Sequence, residues 1–154
     1  MKTGHPAIGT VDATGLRIAV ARATFNDAVT AGLLNGAVGW LVACGATVTV
    51  VEVPGAFELP LVAQQLAPTH DAVVALGAVI EGETDHYEHV AHRASEGLMR
   101  VMLDTGTPVA FGILTARSAE HAAVRSAPGP GNKGAEAAEA AVRTAIALRG
   151  LLTS

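Results

Sequence analysis

AVVALGAVIEGETDHYEHVAHRASEGLMRVM, residues 72–102, changes its hydrophobic period halfway along. Ala72–Ala78 is almost unbroken in apolar residues, the pattern of a strand buried on both faces. Beyond a Gly-containing turn, Tyr87, Val90, Ala91, Ala94, Leu98, Val101 and Met102 recur at helical spacing, predicting an amphipathic helix that begins near Thr84. A buried strand feeding a helix is half of a parallel βαβ unit. Leu16–Ala21, Thr47–Val53 and Pro108–Leu114 repeat the strand pattern. Between the first two, Asn26 or Asp27 can cap a helix running to about Cys44, with Val29, Leu33, Ala37, Trp40, Leu41 and Cys44 on one face and Gly45 as its stop. Shorter helical patterns cover Glu58–Leu66, which ends before Pro68, and Ser118–Val124. An Ala-rich helix follows at Asn132–Leu151, after the loop Ser126-Ala127-Pro128-Gly129-Pro130-Gly131. This order predicts an α/β three-layer αβα sandwich on a four-stranded parallel sheet with right-handed crossovers. Residues 1–14 read as an arm, extended or partly disordered, and residues 15–154 as one domain.

Composition narrows the function. Half of the 154 residues are hydrophobic and 16% charged, which excludes a disordered chain. Net charge is −4 and Lys and Arg form no cluster, so neither nucleic acid nor an anionic membrane surface is an expected partner. An anionic small molecule remains compatible, because it needs only one or two local cations. No apolar run approaches the ~20 residues of a membrane span, and the N-terminal segment has no signal-like core, so a cytoplasmic location is expected. The single cysteine, Cys44, sits in an apolar run and reads as a buried small hydrophobe.

In a parallel sheet of this kind ligands collect beyond the carboxyl ends of the strands. Ala23–Asn26, Pro54–Glu58, Val79–His86 and Phe111–Thr115 are expected at that rim, and they hold all three phenylalanines of the chain. Aromatics gathered there suit a planar ligand. His86, His89 and His92 do not suggest a metal, because residues three apart on a helix step by about 60° and the three cannot converge on one ion. Neither His70 nor Cys44 falls in a rim segment to complete such a site. His89 and His92 read as helix-face residues, with Glu88 and His92 as an i, i+4 pair. His86, in the first helical turn at a strand's carboxyl end, is the candidate general acid or base. Gly82-Glu83-Thr84 can offer backbone N–H groups to an anion, against which stand the carboxylates of Glu81, Glu83 and Asp85. Arg125 and Lys133, flanking the Pro/Gly loop, are the candidate cations. Glu58 either accepts hydrogen bonds from ligand hydroxyls or caps its own helix.

Taken together, these segments resemble lumazine synthase, the penultimate enzyme of riboflavin synthesis. The resemblance runs from about Ile18 to Leu148, through Phe25-Asn26-Asp27, Pro54-Gly55-Ala56-Phe57-Glu58-Leu59-Pro60, Leu76–Ile80, Gly82-Glu83-Thr84-Asp85-His86-Tyr87, Phe111-Gly112-Ile113-Leu114-Thr115 and Gly131-Asn132-Lys133-Gly134. It implies a flavodoxin-like fold, no metal or organic cofactor, and homopentamers that in some members assemble into an icosahedral shell, with riboflavin synthase as a possible enclosed partner. It implies condensation of 5-amino-6-(D-ribitylamino)uracil with 3,4-dihydroxy-2-butanone 4-phosphate to 6,7-dimethyl-8-ribityllumazine, phosphate and water. Phe25 would stack on the pyrimidine, Ala56, Phe57 and Glu58 would hold the ribityl chain, and Ala78, Val79 and Ile80 would read the uracil edge. Glu83 and Thr84 would bind phosphate through backbone amides, Arg125 would be its counter-ion, and His86 would move protons. Phe111 would close the site from a neighbouring subunit, near Lys133. Thr24 and Glu81 stand where the family commonly has arginine. That leaves a compensated change at an interface, or a weakened flavin- or lumazine-binding or shell-forming paralogue, as alternatives.

Overall fold

The computed structural model describes residues 9–82 and 85–153. Within them the chain runs β1 (Arg17–Ala23), α1 (Asp27–Ala43), β2 (Thr47–Val53), α2 (Leu59–Leu66), β3 (Ala72–Ile80), α3 (His86–Thr105), β4 (Val109–Ala116), α4 (Ala119–Ser126) and α5 (Lys133–Thr153). All strand pairs are parallel and the order across the sheet is β2-β1-β3-β4. Because strands alternate their side chains, each central strand feeds two cores. Ile18, Val20, Val74 and Leu76 pack with Leu33, Leu41 and Val142 under α1 and α5. Ala19, Ala21, Val73 and Ala75 pack with Leu59, Leu98 and Val101 under α2 and α3. The three-layer arrangement follows directly.

The sequence reading places the elements well and their exposure less well. β1, β3 and β4 each reach two residues further towards the carboxyl end than their apolar runs suggested. β2 differs more. Of its residues only Val53 is buried, and Val50 is largely open, because β2 is an edge strand. An unbroken apolar run does not distinguish a central parallel strand from an edge one. Of the expected N-terminal arm, residues 1–8 lie outside the described residues. Ala13 is fully buried and donates its N–H to the Cys44 carbonyl, so this part of the arm is docked. Cys44 itself is buried, and Gly45 ends α1 at φ 86°. Among the described residues no helix is long and apolar enough to cross a membrane.

The contacts of α1 with α4 and α5 have no space for side chains at three glycines. A methyl group added to Gly134 would strike the Leu33 carbonyl, one on Gly32 the Ser126 carbonyl, and one on Gly36 the side chain of Asn132. Asn132 is 1% exposed, and all of its side-chain capacity is used. Its amide nitrogen lies 3.1 Å from the carbonyls of Gly32, Ser126 and Ala127, while its oxygen accepts the Ala135 N–H at 3.0 Å and caps α5. Replacing it by alanine removes the cap and leaves buried carbonyls without donors, at a cost of about 2–4 kcal/mol. Asn132→Ala should therefore lower the thermal midpoint by several degrees in a melting experiment. An unchanged midpoint would mean that water replaces the amide at no cost.

Candidate active site

β1 and β3 are neighbours, yet the chain leaves β1 towards one edge of the sheet and leaves β3 towards the other. That is a topological switch point, where the departing loops part and leave a crevice. A cleft of about 430 Å³ opens there. It is walled by Phe25 and Asn26 after β1, Gly55–Phe57 after β2, Ala78–Ile80 at the end of β3, Gly82, and His86, Tyr87 and Val90 at the start of α3. Phe25 and Phe57 are 72% and 61% exposed, two large aromatic surfaces left in solvent beside it. The lining is mostly apolar with a few polar groups, and none of its residues is Lys or Arg.

Local hydrogen bonding explains the shape. The Thr24 and Phe25 amides donate to the Val53 and Pro54 carbonyls at 2.8 Å, tying the β1 exit to the β2 exit. Asn26 takes a left-handed conformation, φ 60° and ψ 54°, which asparagine tolerates better than most residues. It holds the N-cap position of α1 but does not cap with its side chain, which donates to the Ala78 carbonyl at 2.9 Å. Glu58, open between two readings, takes the structural one: its carboxylate accepts the Gly55 N–H at 2.9 Å and closes the turn that carries Ala56 and Phe57.

Glu81, unexpected beside an anion site, turns its carboxylate towards the Tyr87 hydroxyl at 3.3 Å, which also lies 3.4 Å from Glu88. At the start of α3, His89 pairs with the N-cap residue Asp85 at 3.4 Å, in place of Glu88 with His92. Glu83 and Thr84 lie outside the described residues. Among the described residues no group of three His, Cys, Asp or Glu side chains could hold a metal ion.

Phe111, Arg125 and Lys133 are elsewhere. Phe111 lies within β4, paired with Ala75, rather than at the rim, because β4 continues to Ala116. With Arg125, Lys133, Glu136, Glu139 and Arg143 it lines a second concavity, of about 580 Å³, along β4 and α5. Here Lys133 pairs with Glu136 at 3.2 Å and Arg143 with Glu139 at 3.0 Å. Arg125 is exposed, donates to the His121 carbonyl at 3.2 Å, and has no described carboxylate within ion-pair reach. Within one chain, the residues that the sequence reading assigned to a site between subunits therefore line two separate clefts. That reading missed Asn26, Tyr87 and Val90 as lining residues, since the last two also fit the apolar face of α3.

An αβα sheet with an aromatic-walled cleft at its switch point is the architecture of the flavodoxin-like class. Comparison with known proteins makes this specific. The family model for 6,7-dimethyl-8-ribityllumazine synthase matches residues 15–149. The 6,7-dimethyl-8-ribityllumazine synthase of Mycolicibacterium vanbaalenii is 49% identical over 96% of both chains. That of Thermus thermophilus is 52% identical over 84% of this chain and 86% of its own, and that of Corynebacterium glutamicum is 48% identical over 96% and 94%. The chain belongs to the 6,7-dimethyl-8-ribityllumazine synthase family, transferases of riboflavin biosynthesis.

Tyr87 is the only tyrosine, so its titration can be followed by absorbance without ambiguity. Desolvation, and then the charges and hydrogen bonds of Glu81 and Glu88, hold its phenol above the ordinary value. Tyrosinate should form at higher pH than in a free phenol, and Glu81→Gln should bring the midpoint part of the way back. A midpoint unmoved by Glu81→Gln would mean that the Glu81 carboxylate does not act on the phenol.

Proposed function

We propose that the family's condensation of 5-amino-6-(D-ribitylamino)uracil with 3,4-dihydroxy-2-butanone 4-phosphate takes place here in a cleft completed by two copies of the chain. One observation carries this reading: the aromatic cleft has no Lys or Arg, while the concavity along β4 offers Arg125 without a carboxylate partner. A dianionic phosphate needs a cation, and a neighbouring subunit presenting its Phe111–Arg125–Lys133 face supplies one. The pyrimidine then stacks on Phe25, with the Ala78–Ile80 backbone reading its edge. The ribityl chain runs towards Ala56–Glu58, and the phosphate is bound by the backbone amides of Glu83 and Thr84 together with the partner's cation.

The 5-amino group of the pyrimidine attacks the ketone and water leaves to give an imine. Loss of a carbon-bound proton and of phosphate gives an enol that tautomerises to a carbonyl. The ribitylamino nitrogen closes on that carbonyl with loss of a second water. Each step moves a proton at a carbon, nitrogen or oxygen within reach of the start of α3. His86, whose imidazole can both give and take a proton, serves as acid and base. Positioning supplies much of the rate, because joining two substrates in one cleft removes their translational freedom in advance. The assembly is a closed ring of five, about 78 kDa for five chains of 15.5 kDa, acting in the cytoplasm. A 60-subunit shell, with or without an enclosed riboflavin synthase, would show near a megadalton in native mass.

The test mixes both substrates with the protein and follows lumazine fluorescence above the spontaneous rate. No acceleration at saturating substrate refutes the reading; tight riboflavin binding without turnover would support the weakened-paralogue alternative. His86→Ala should slow turnover about 10²-fold or less, the scale of a single general acid–base group. Arg125→Ala should raise KM for the phosphate substrate and leave KM for the pyrimidine. Mixed assemblies of the two variants should regain activity, since about a quarter of randomly formed head-to-tail interfaces join two intact halves. No recovery on mixing would place both groups in one subunit's site.

A further inference from the structure

Arg22 has no part in the cleft lining, yet it is the one basic side chain buried among the described residues, at 8% exposure. It lies near the carboxyl end of β1, three residues before Phe25. Its guanidinium reaches two elements, α1 and β2. Nε donates to the Thr30 hydroxyl of α1 at 3.2 Å, Nη1 to the Glu52 carboxylate of β2 at 3.0 Å, and Nη2 to both the carbonyl and the carboxylate of Asp27, where α1 begins. Glu52 precedes the stretch whose Val53 and Pro54 carbonyls hold the Thr24 and Phe25 amides. Asp27 follows Asn26, whose left-handed backbone turns the chain into α1. The fork therefore ties together both ends of the Thr24–Asn26 turn.

We propose that Arg22 is the positioning residue of the aromatic wall, holding the Thr24–Asp27 turn so that Phe25 stands over the cleft in a fixed orientation for the pyrimidine substrate. The proposal rests on the reading of Phe25 as the stacking surface. Two observations separate a positioning role from a purely structural one. Both carboxylates are open to solvent, Asp27 at 77% and Glu52 at 55% of their side chains, so removing Arg22 leaves neither charge buried. The buried guanidinium also carries its own desolvation cost, so an apolar replacement of similar length is tolerated by the core. What is lost is the tie across the turn. A single lysine ammonium does not reproduce a planar fork that serves two carboxylates and a hydroxyl at once.

The experiment compares wild type, Arg22→Met, Arg22→Lys and Phe25→Ala in the assembled protein. Hydrogen exchange by mass spectrometry follows residues 23–30, and steady-state kinetics give KM for each substrate. Arg22→Met should speed exchange across 23–30 and raise KM for the pyrimidine about tenfold, inside the hundredfold that an ångström's misplacement can cost. KM for the butanone phosphate and the melting midpoint should stay near wild type, and Arg22→Lys should recover only part of the loss. Unchanged exchange and unchanged pyrimidine KM in Arg22→Met overturn the proposal. So does an equal rise in both KM values with a large fall in melting midpoint, which marks a general structural role. Should Arg22→Met fail to assemble, Asp27→Asn and Glu52→Gln each release one arm of the fork, and wild-type behaviour in both is equally fatal. The underlying reading fails separately: wild type without turnover, or Phe25→Ala with an unchanged pyrimidine KM, refutes the stacking assignment, while the exchange measurement still decides whether Arg22 holds the turn.

Discussion

One buried amide organises the side of the molecule on which α1, α4 and α5 meet. Asn132 can reach the carbonyls of Gly32, Ser126 and Ala127 only because α1 comes into close contact with α4 at Gly32 and with α5 and its N-cap at Gly36 and Gly134. The close approach and the hydrogen bonds require each other. A side chain at any of these glycines would push the helices apart, and without the amide the buried carbonyls would oppose their meeting. The loop from Ala127 to Gly131 is thereby fixed at both ends. Arg125 and Lys133, two of the three cations lining the second concavity, stand on either side of it.

Fold and chemistry divide unequally between the two concavities. The switch-point cleft supplies flat apolar walls and backbone groups, which suit an uncharged ring. The β4–α5 concavity supplies positive charge, set among carboxylates that keep most of it neutralised locally. Only the second holds Lys and Arg, beside its own Phe111, and the separation follows from topology: β1 and β3 are central, whereas β4 is an edge strand.

Much of this was legible in the residues. The four apolar runs, the helical spacing from Tyr87 to Met102 and the Gly45 stop are local signals, and local signals survive folding. The aromatic wall was also legible, because so few aromatics are present that their positions stand out. Exposure of β2 was not, since edge or centre depends on strand order. Placing Phe111 at the rim failed because strand ends are set by partner length: β3 runs on to Ile80, and its pairing carries β4 to Ala116. The roles of Arg22 and Asn132 were beyond reach for a related reason. Asn132 touches Gly32, a hundred positions away, and Arg22 meets Glu52 across two strands. A long-range polar bond leaves no periodic trace in a sequence.

The exposed strand Thr47–Val53 has a consequence for the life of the newly made chain. Its sequence, TVTVVEV, is rich in β-branched residues and lies at an open sheet edge, the kind of surface that templates strand addition between molecules. Natural sequences guard such segments with charge. The one charged residue here, Glu52, is engaged by Arg22, and its neutralisation weakens it as a guard. Escape from aggregation then depends on kinetics, on how quickly a nascent chain finds cover for that edge, more than on repulsion written into the strand.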